Sequence, residues 1–332
     1  LHRFRHSFPT RRSSDLINCS NKNASDEARK LLQFLNDTAG NKIITGQHTQ
    51  TNPMEEIAYI KSITGCEPLL RGFELLGYSP NINYEDADEA CLTEVEENKG
   101  TMKTALEWAK SNGASQIKCI LTFSFHWFSP LGGRDKSFYA KNTDFDPERI
   151  LVDGSPENKA FYNDMDSIAK VLEEFRLEKI PVLWRPFHES YGKWFWWGSK
   201  GPEVACRLYR MMYDYYVNEK HLDNLLWVWN CDVASAYPGD DCVDVNSIDV
   251  YLEEKKATDY RAEYERLTEA CGKNKVVALA EVGYNPDVEL LSRTKIPWAY
   301  FMTWSKEFSM DGIRNTKEDL CKMYSSDYSL KL

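Results

Sequence analysis

Two glutamates in this 332-residue chain lie at or just after the ends of apolar runs of strand length. Glu189 follows the apolar run 181–185 (PVLWR) after three residues, and Glu281 ends the run 276–281 (VVALAE). A pair of facing carboxyl groups can protonate the leaving oxygen with one member and attack the anomeric carbon, or activate water, with the other. Either glutamate alone is more simply explained as a loop cap or an arginine partner. Together, at the ends of two strand-like runs, they favour catalysis.

Histidines near these glutamates raise the question of a metal site. His188 precedes Glu189, but residue 192 is glycine, so the HExxH zinc motif is absent. His48, His126 and His188 could in principle surround a metal, yet they lack the helical spacing of such a motif and suit hydrogen-bonding roles better. We therefore predict neither a metal nor a cofactor.

Aromatic residues and charge point to a neutral ligand. The run 194–197 (WFWW) follows Glu189 after a Gly192 turn, and its rings are expected partly to stack on flat apolar faces and partly to fill space below the loop. The chain contains 10 Trp and 18 Tyr, and its formal net charge is -10. An acidic surface disfavours nucleic acid and anionic membranes as partners, whereas sugar rings offer the flat faces that aromatic side chains bind.

Eight apolar runs of strand length alternate with segments of helical periodicity. The strand candidates are residues 42–46, 68–73, 117–125, 181–185, 225–229, 247–251, 276–281 and 298–303. The helix candidates include residues 25–36, 93–112, 158–177, 202–218 and 259–271. This alternation is typical of parallel βα units, and eight units close a (β/α)8 TIM barrel of the α/β class. A doubly wound open sheet is the competing fold, but no Gly-rich phosphate loop is present.

The chain is predicted to contain one domain. Residues 1–16 (LHRFRHSFPTRRSSDL) are basic and lack a periodic apolar face, and we interpret them as a disordered or non-native leader. Residues 17–332 show no linker and form the predicted catalytic domain. No apolar run approaches the 18 residues of a membrane span, and no apolar signal core is visible near the start. The nine cysteines form no CxxC pair and are expected to act mainly as small core residues.

The motifs at the predicted strand ends resemble those of glycoside hydrolase family 26, best known for β-mannanases. The most specific are WRPFHE at 184–189 and WFWWG at 194–198. Further matching motifs are GQH at 46–48, FHW at 125–127, WVWN at 227–230, YPGD at 237–240, DVY at 249–251, EVG at 281–283 and TWS at 303–305. The resemblance extends from about residue 42 to residue 304, with one departure: many members carry Met-Asn where this chain has Ser190-Tyr191.

The resemblance implies a retaining double displacement with Glu189 as acid/base and Glu281 as nucleophile. Their carboxyl groups are then expected about 5 to 5.5 Å apart. An acid catalyst needs a raised pKa, which apolar neighbours such as Phe187 and Trp194 can provide, whereas a nucleophile stays charged beside donors such as Tyr251.

The resemblance also implies substrate contacts for five residues. His188 is expected to hold the acid/base and touch substrate, and His126 to contact the sugar at the cleavage site. Tyr251 would hydrogen-bond the nucleophile, Trp304 would form the floor under the reacting sugar, and Trp194 would lie on the leaving-group side.

The expected activity is endo-hydrolysis of β-1,4-mannosidic bonds in mannan, glucomannan or galactomannan. The alternatives are a related β-glycanase acting on β-1,3-xylan or mixed-linkage β-glucan, exo attack on manno-oligosaccharides, and a non-catalytic carbohydrate-binding barrel. A polymeric substrate implies a secreted, periplasmic or cell-surface protein. The oligomeric state and the tolerance of galactose branches stay open at this level.

Overall fold

The computed structural model describes residues 17–50, 54–272 and 274–332. The segment 1–16, interpreted above as a leader, lies outside the described residues.

The described residues form a closed parallel β-barrel, which confirms the predicted (β/α)8 fold. Its strands are β1 (Ile43–Ile44), β2 (Gly46–Thr49), β3 (Leu70–Glu74), β4 (Ile120–Ser124), β5 (Val182–Arg185), β6 (Leu225–Asn230), β7 (Val245–Val250), β8 (Val276–Val282) and β9 (Trp298–Thr303). β1 and β2 together make the first barrel strand, and β9 pairs with them and with β8 to close the ring. A short β10 (Ser329–Leu330) pairs in parallel with β1 outside the ring.

Helices connect the strands. They are α1 (Asp26–Thr38), α2 (Glu55–Thr64), α3 (Glu89–Glu97), α4 (Thr101–Ser111), α5 (Pro156–Leu177), α6 (Pro202–Asp214), α7 (Arg261–Ala270), α8 (Val288–Thr294), α9 (Glu307–Met310) and α10 (Lys317–Ser325). The helix expected at 93–112 is two helices, because Gly100 adopts the left-handed conformation (φ 76°) between them. The helix expected at 202–218 ends as a π-turn over Tyr215–Glu219.

The amino-terminal end of the barrel is closed by α1. Ser25 caps this helix by accepting a hydrogen bond from the Ala28 amide. The helix buries Leu31 and Leu35 in a cluster that includes residues near the amino-terminal ends of the strands, such as Leu183 and Leu226. Each fully buried leucine contributes roughly 1.5–3 kcal/mol. The opposite, carboxyl-terminal end is left to the βα loops, where barrel proteins place their functional side chains.

None of the helices in the described part of the chain combines the length and hydropathy required to cross a bilayer. The nine cysteines all lie in the described residues as free thiols, and most of them are buried, as expected for small core residues.

Candidate active site

A buried ion cluster lies at the carboxyl-terminal mouth of the barrel. Arg185, the last residue of β5, donates a hydrogen bond of 2.8 Å to Asp249 on β7 and a second, short one to Glu281 on β8. All three side chains are almost inaccessible to solvent. Asp249 and Glu281 are neighbours in the β7–β8 register, so one guanidinium can reach both. One charge-assisted hydrogen bond from the same guanidinium to each carboxylate orients both acidic side chains and favours their charged forms.

Glu281 has a second donor on its other oxygen. The Tyr251 hydroxyl, just beyond the end of β7, donates to Oε2 of Glu281 at 2.8 Å. Because Arg185 binds Oε1, each oxygen of this carboxylate has one donor. The side chain is thereby oriented at both atoms, which suits a group that must approach a reacting centre from one direction.

Glu189 lies on the loop after β5 in a strained backbone. Phe187 and Glu189 both have positive φ angles, 54° and 53°, a region that bulky residues rarely adopt. The Glu189 amide donates to Oδ1 of Asn230 at 2.7 Å, and Nδ2 of Asn230 donates to Asp249 at 2.8 Å. Asn230 therefore ties the strained turn to the ion cluster.

The carboxyl groups of Glu189, Asp249 and Glu281 lie close together. One oxygen from each is within 4.8 Å of the other two. Three carboxylates at this separation attract a cation, and Arg185 bonds two of them directly. These oxygens are therefore closer than the roughly 6.5–9.5 Å separation at which a water molecule fits between a carboxyl group and the sugar.

Trp194 contacts Glu189 from the solvent side. Its indole nitrogen donates to Oε2 of Glu189 at 2.7 Å, and the ring is 44% exposed, so one face is open at the mouth. Tyr191 packs edge-on against it, with ring centroids 5.5 Å apart. The rest of the aromatic run is different: Phe195, Trp196 and Trp197 are buried. The expected packing role therefore belongs to these three rings, and Trp194 is the exposed ring of the run.

The two glutamates both have raised pKa values. Burial, reinforced by the charge of Asp249, raises the pKa of Glu189 to about 7, while the Trp194 hydrogen bond acts against it. Burial also raises the pKa of Glu281, to about 8; Arg185 opposes the shift, and the charges of Asp249 and Glu189 add to it. The charge of Asp249 thus raises the pKa of both glutamates, and the charge of Glu189 raises that of Glu281.

A hydrogen-bond network at the mouth links Glu74, His126 and His188. Glu74, at the end of β3, is buried and accepts from Ser124 Oγ at 2.7 Å, from the His126 amide at 2.7 Å and from the Leu76 amide at 2.9 Å. Nδ1 of His126 lies 2.8 Å from Glu74, and Nε2 of His126 lies 3.2 Å from Nε2 of His188.

The contacts of Glu74, His126 and His188 explain the shifts of their pKa values. Burial acts to raise the pKa of Glu74, but the charge and hydrogen bonds of His126 prevail and lower it to about 2. Burial likewise acts to lower the pKa of His126, but Glu74 prevails and raises it. Burial, with the charge of His126, lowers the pKa of His188 well below its usual range. The two opposite pKa shifts favour the charged form of His126 and the neutral form of His188.

Trp304 completes the mouth. It follows β9, packs on the His48 ring with centroids 4.1 Å apart, and has the His126 ring 6.3 Å away. All seven residues predicted for the site therefore lie at the carboxyl-terminal mouth: Glu189, Glu281, His126, His188, Trp194, Tyr251 and Trp304.

Sequence reasoning left four polar residues at the mouth without a role: Arg185, Asp249, Asn230 and Glu74. Three of them stood out as polar residues at predicted strands: Arg185 ends the run 181–185, Asn230 follows the run 225–229, and Asp249 lies within the run 247–251. Glu74 was missed because the predicted strand stopped at residue 73, one position before the observed end of β3. Their contacts join residues far apart in sequence, and composition alone gives no signal for such contacts.

A closed (β/α)8 barrel with two close carboxyl groups at the ends of its fourth and seventh strands, ringed by aromatic side chains, has the architecture of a barrel glycosidase. The comparison with family models gives the particular group. Residues 20–332 match the model described as glycosyl hydrolase family 26, and the chain belongs to that family.

Curated relatives carry one activity name. A mannan endo-1,4-β-mannosidase of Thermothelomyces thermophilus is 35% identical over 321 residues, which cover 94% of this chain and 62% of the relative. One from Bacillus subtilis (strain 168) is 26% identical over 320 residues, covering 87% of this chain and 82% of the relative. Two Piromyces mannan endo-1,4-β-mannosidases, A and B, are matched over only 48% and 51% of their lengths. The chain thus spans less than two thirds of several relatives.

Solved structures agree in fold. A GH26-CBM35 β-(1,4)-mannanase of Podospora anserina superposes with a TM-score of 0.83 at 34% identity, over 95% of this chain and 68% of that one. A β-mannanase from a symbiotic protist of the termite Reticulitermes speratus, complexed with gluco-manno-oligosaccharide, gives 0.81 at 28% identity, over 95% and 96%.

Proposed function

We propose that this protein is a retaining endo-β-1,4-mannanase, with Glu189 as the acid/base and Glu281 as the nucleophile. The observation that carries the mechanism is the proximity of the two carboxyl groups, with oxygens within 4.8 Å. An inverting enzyme separates its carboxyl groups by about 6.5–9.5 Å to fit a water molecule between one of them and the sugar.

The contacts of the two groups support this division of roles. Glu281 accepts hydrogen bonds from the Arg185 guanidinium, which is always charged, and from the Tyr251 hydroxyl. Both donors stabilise the carboxylate form. Glu189 has no cationic partner among its described contacts, and the described donor to its carboxyl group is the Trp194 indole. We place the proton on Glu189 and the negative charge on Glu281, against the order of their two pKa values, because Arg185 and Tyr251 both donate to Glu281 whereas Glu189 accepts one indole N–H.

The reaction proceeds in two displacements. The Glu281 carboxylate attacks the anomeric carbon while Glu189 gives its proton to the departing glycosidic oxygen, forming a glycosyl ester and a free sugar hydroxyl. Glu189, now a carboxylate, then takes a proton from a water molecule that attacks the same carbon. The ester bond breaks, Glu281 is released as a carboxylate, and the configuration is retained.

The surrounding side chains hold the substrate in this proposal. Trp304 forms the floor beneath the reacting sugar, and His126 and His188 contact its hydroxyl groups. Tyr251 hydrogen-bonds the nucleophile. Trp194 lies on the leaving-group side, where its contact with Glu189 and its exposed ring are suited to the departing sugar.

The substrate assignment to β-mannan rests on the relatives, which carry the name mannan endo-1,4-β-mannosidase. The structure bound to a gluco-manno-oligosaccharide supports a mixed or pure mannan backbone as the ligand class. We also propose that residues 17–332 form one catalytic domain and that the protein works outside the cytoplasm, at the cell surface, in the periplasm or after secretion, because a polysaccharide does not cross membranes.

The test uses the purified protein and its Glu281→Ala variant. Linear mannan, galactosylated mannan, β-1,3-xylan and mixed-linkage glucan are each incubated with both proteins, and the products are sized by chromatography. We expect manno-oligosaccharides of several lengths from the wild type and none from the variant. Products only from another glycan would change the assigned substrate. Mannose-sized products alone would indicate exo attack, and binding without cleavage would indicate a non-catalytic carbohydrate-binding barrel.

A further inference from the structure

Beneath Trp304 lies an imidazole whose polar atoms are unused. His48, on β2, is fully buried and stacks on the indole at a centroid distance of 4.1 Å and an interplanar angle of 23°. Neither of its ring nitrogens has a hydrogen-bond partner within the described part of the chain. A buried polar group without a partner costs free energy. For stability alone, an apolar side chain would serve better here.

The His48 ring is neutral. Burial lowers its pKa to about 3; the charge of Glu74 opposes this shift, and the charges of Arg185 and His126 add to it. The ring therefore presents a flat, uncharged face to the back of the indole. A cationic side chain in its place would compete for the indole π-system with any positive charge developing on the other face.

The neighbour of His48 holds the backbone of the same tryptophan. Nε2 of Gln47 donates to the Trp304 carbonyl at 3.1 Å and to the Thr303 carbonyl at 3.3 Å. Ser309 Oγ lies 2.7 Å from Oε1 of Gln47 and 2.9 Å from the Trp304 carbonyl. The first barrel strand thus contacts Trp304 twice. His48 packs on the indole ring, and Gln47 holds the main chain.

Two glycines allow this close approach. A Cβ on Gly72, the β3 residue paired with His48, would lie 2.9 Å from Cδ2 of His48 and would collide with the sulfur of Met302. A Cβ on Gly46 would collide with the Phe301 carbonyl on β9. The space occupied by the His48 ring therefore depends on the absence of a side chain at Gly72, and the close approach of β2 to β9 depends on its absence at Gly46.

We propose that Gln47 and His48 are positioning residues that fix the plane of Trp304 beneath the reacting sugar. This inference rests on the proposed function, in which that sugar passes through an oxocarbenium-like transition state. An indole face attracts such a charge only where the ring lies at the correct distance and tilt. The neutral imidazole supports the ring from behind, and the Gln47 amide stops the main chain from shifting.

The test compares His48→Leu with the wild type by kcat and KM on a linear manno-oligosaccharide and by thermal unfolding. We expect kcat to fall about tenfold or more, with KM changed by less than about threefold, because the tryptophan is present but misplaced. The melting temperature should equal or exceed that of the wild type, since two unsatisfied nitrogens are removed. Tyr300→Phe is the matched control: it removes another buried, unpartnered atom on β9 and should leave kcat unchanged.

Two further variants separate the possible failures. Trp304→Ala measures whether Trp304 matters at all; full activity in this variant would overturn its place in the proposed function. If Trp304→Ala is inactive while His48→Leu keeps wild-type kcat, the positioning role is wrong and the proposed function stands. Should His48→Leu not fold, Gln47→Met provides the same measurement, and wild-type kcat in that variant would count against the proposal.

Discussion

The contacts of Glu189 and Glu281 assign them different tasks in a cleavage reaction, and substrates with different leaving groups separate those tasks. For Glu189→Ala we expect a loss of about a thousandfold on mannan but a much smaller loss on an aryl glycoside with a good leaving group, which needs no proton. For Glu281→Ala both substrates should lose activity equally, since no ester can form. Steady-state rates on the two substrates provide the measurement. Equal losses in Glu189→Ala would remove its assignment as the acid.

Trp194 controls the pKa of the acid through one hydrogen bond. Its indole N–H donates to Glu189 and stabilises the charged form, so it acts to lower a pKa that burial raises to about 7. In Trp194→Phe the ring remains and the donor is lost, so the pKa of Glu189 should rise further. Because the acid must be protonated, the alkaline limb of the pH–rate profile should move to higher pH.

The profile of kcat against pH, measured from about pH 5 to 9 for the wild type and Trp194→Phe, checks this expectation. Tyr191→Phe is the control, since it keeps the ring that packs on Trp194 and removes a hydroxyl outside this hydrogen bond. An alkaline limb that stays in place, or moves to lower pH, in Trp194→Phe would contradict the role of the indole.

The sequence allowed the residues of the site to be predicted where residue type and strand end coincide. Glu189 and Glu281 each follow a recognisable apolar run, and the aromatic run near 194–197 is conspicuous. The positive φ angles of the Glu189 turn and the two-carboxylate contact of Arg185 could not be predicted, because both depend on partners brought together only by barrel closure.

At the scale of elements, β3 and β4 are joined by a buried charge pair at their carboxyl ends. Glu74 on β3 accepts from Ser124 and from His126 just after β4. Breaking a buried pair by removing one charge costs about 3–5 kcal/mol. For Glu74→Gln we therefore expect a loss of about 3 kcal/mol of unfolding free energy at pH 6, together with reduced activity from a misplaced His126.

The pH dependence of that loss follows from the two pKa shifts. The folded pKa of Glu74, about 2, lies below its unfolded value, so its contribution is present above about pH 4.3 and is lost as the pH falls towards 2. The pKa of His126 is raised, so its contribution is complete below about pH 6.5 and is lost as the pH rises through the folded value. The difference between wild type and variant should therefore be largest near pH 5 to 6.

Denaturant unfolding of both proteins at pH 3, 5.5 and 8 measures this difference. Asp166→Asn is the control, because Asp166 pairs with Lys220 at the surface, where such a pair contributes about 1 kcal/mol or less. A Glu74→Gln effect that is the same at all three pH values would show that packing, rather than the charge pair, accounts for the loss.

Strands were easier to predict than helix breaks. All eight predicted strand positions coincide with observed strands, because buried parallel strands appear as continuous apolar runs. The segment 93–112 has helical periodicity on both sides of Gly100, and periodicity alone does not show where the axis changes direction. The break depends on the left-handed conformation of Gly100 and on a buried Asn98 that bonds the Glu94 carbonyl.

At the scale of the whole molecule, the two ends of the described chain are attached to the barrel. The Ile17 amide donates to Gln33 at 3.3 Å, and the Ser20 amide to Asp244 at 2.6 Å. At the other end, Leu332 and Glu67 exchange two main-chain hydrogen bonds of 2.8 and 3.0 Å. The family match over residues 20–332 spans the same stretch.

If residues 17–332 are the catalytic domain, two short deletions should have opposite results. Removing residues 1–16 should leave the melting temperature and kcat on mannan unchanged, because the described attachments begin at Ile17 and the basic segment 1–16 has no periodic apolar face in its sequence. Removing residues 328–332 should cost about 3 kcal/mol or more, since it eliminates β10, its pairing with β1 and the buried Tyr328. Thermal unfolding and mannan hydrolysis of both deletion variants measure this. A loss of folding after removal of residues 1–16 would place the domain boundary before residue 17 and contradict the proposal that residues 17–332 form the complete catalytic domain.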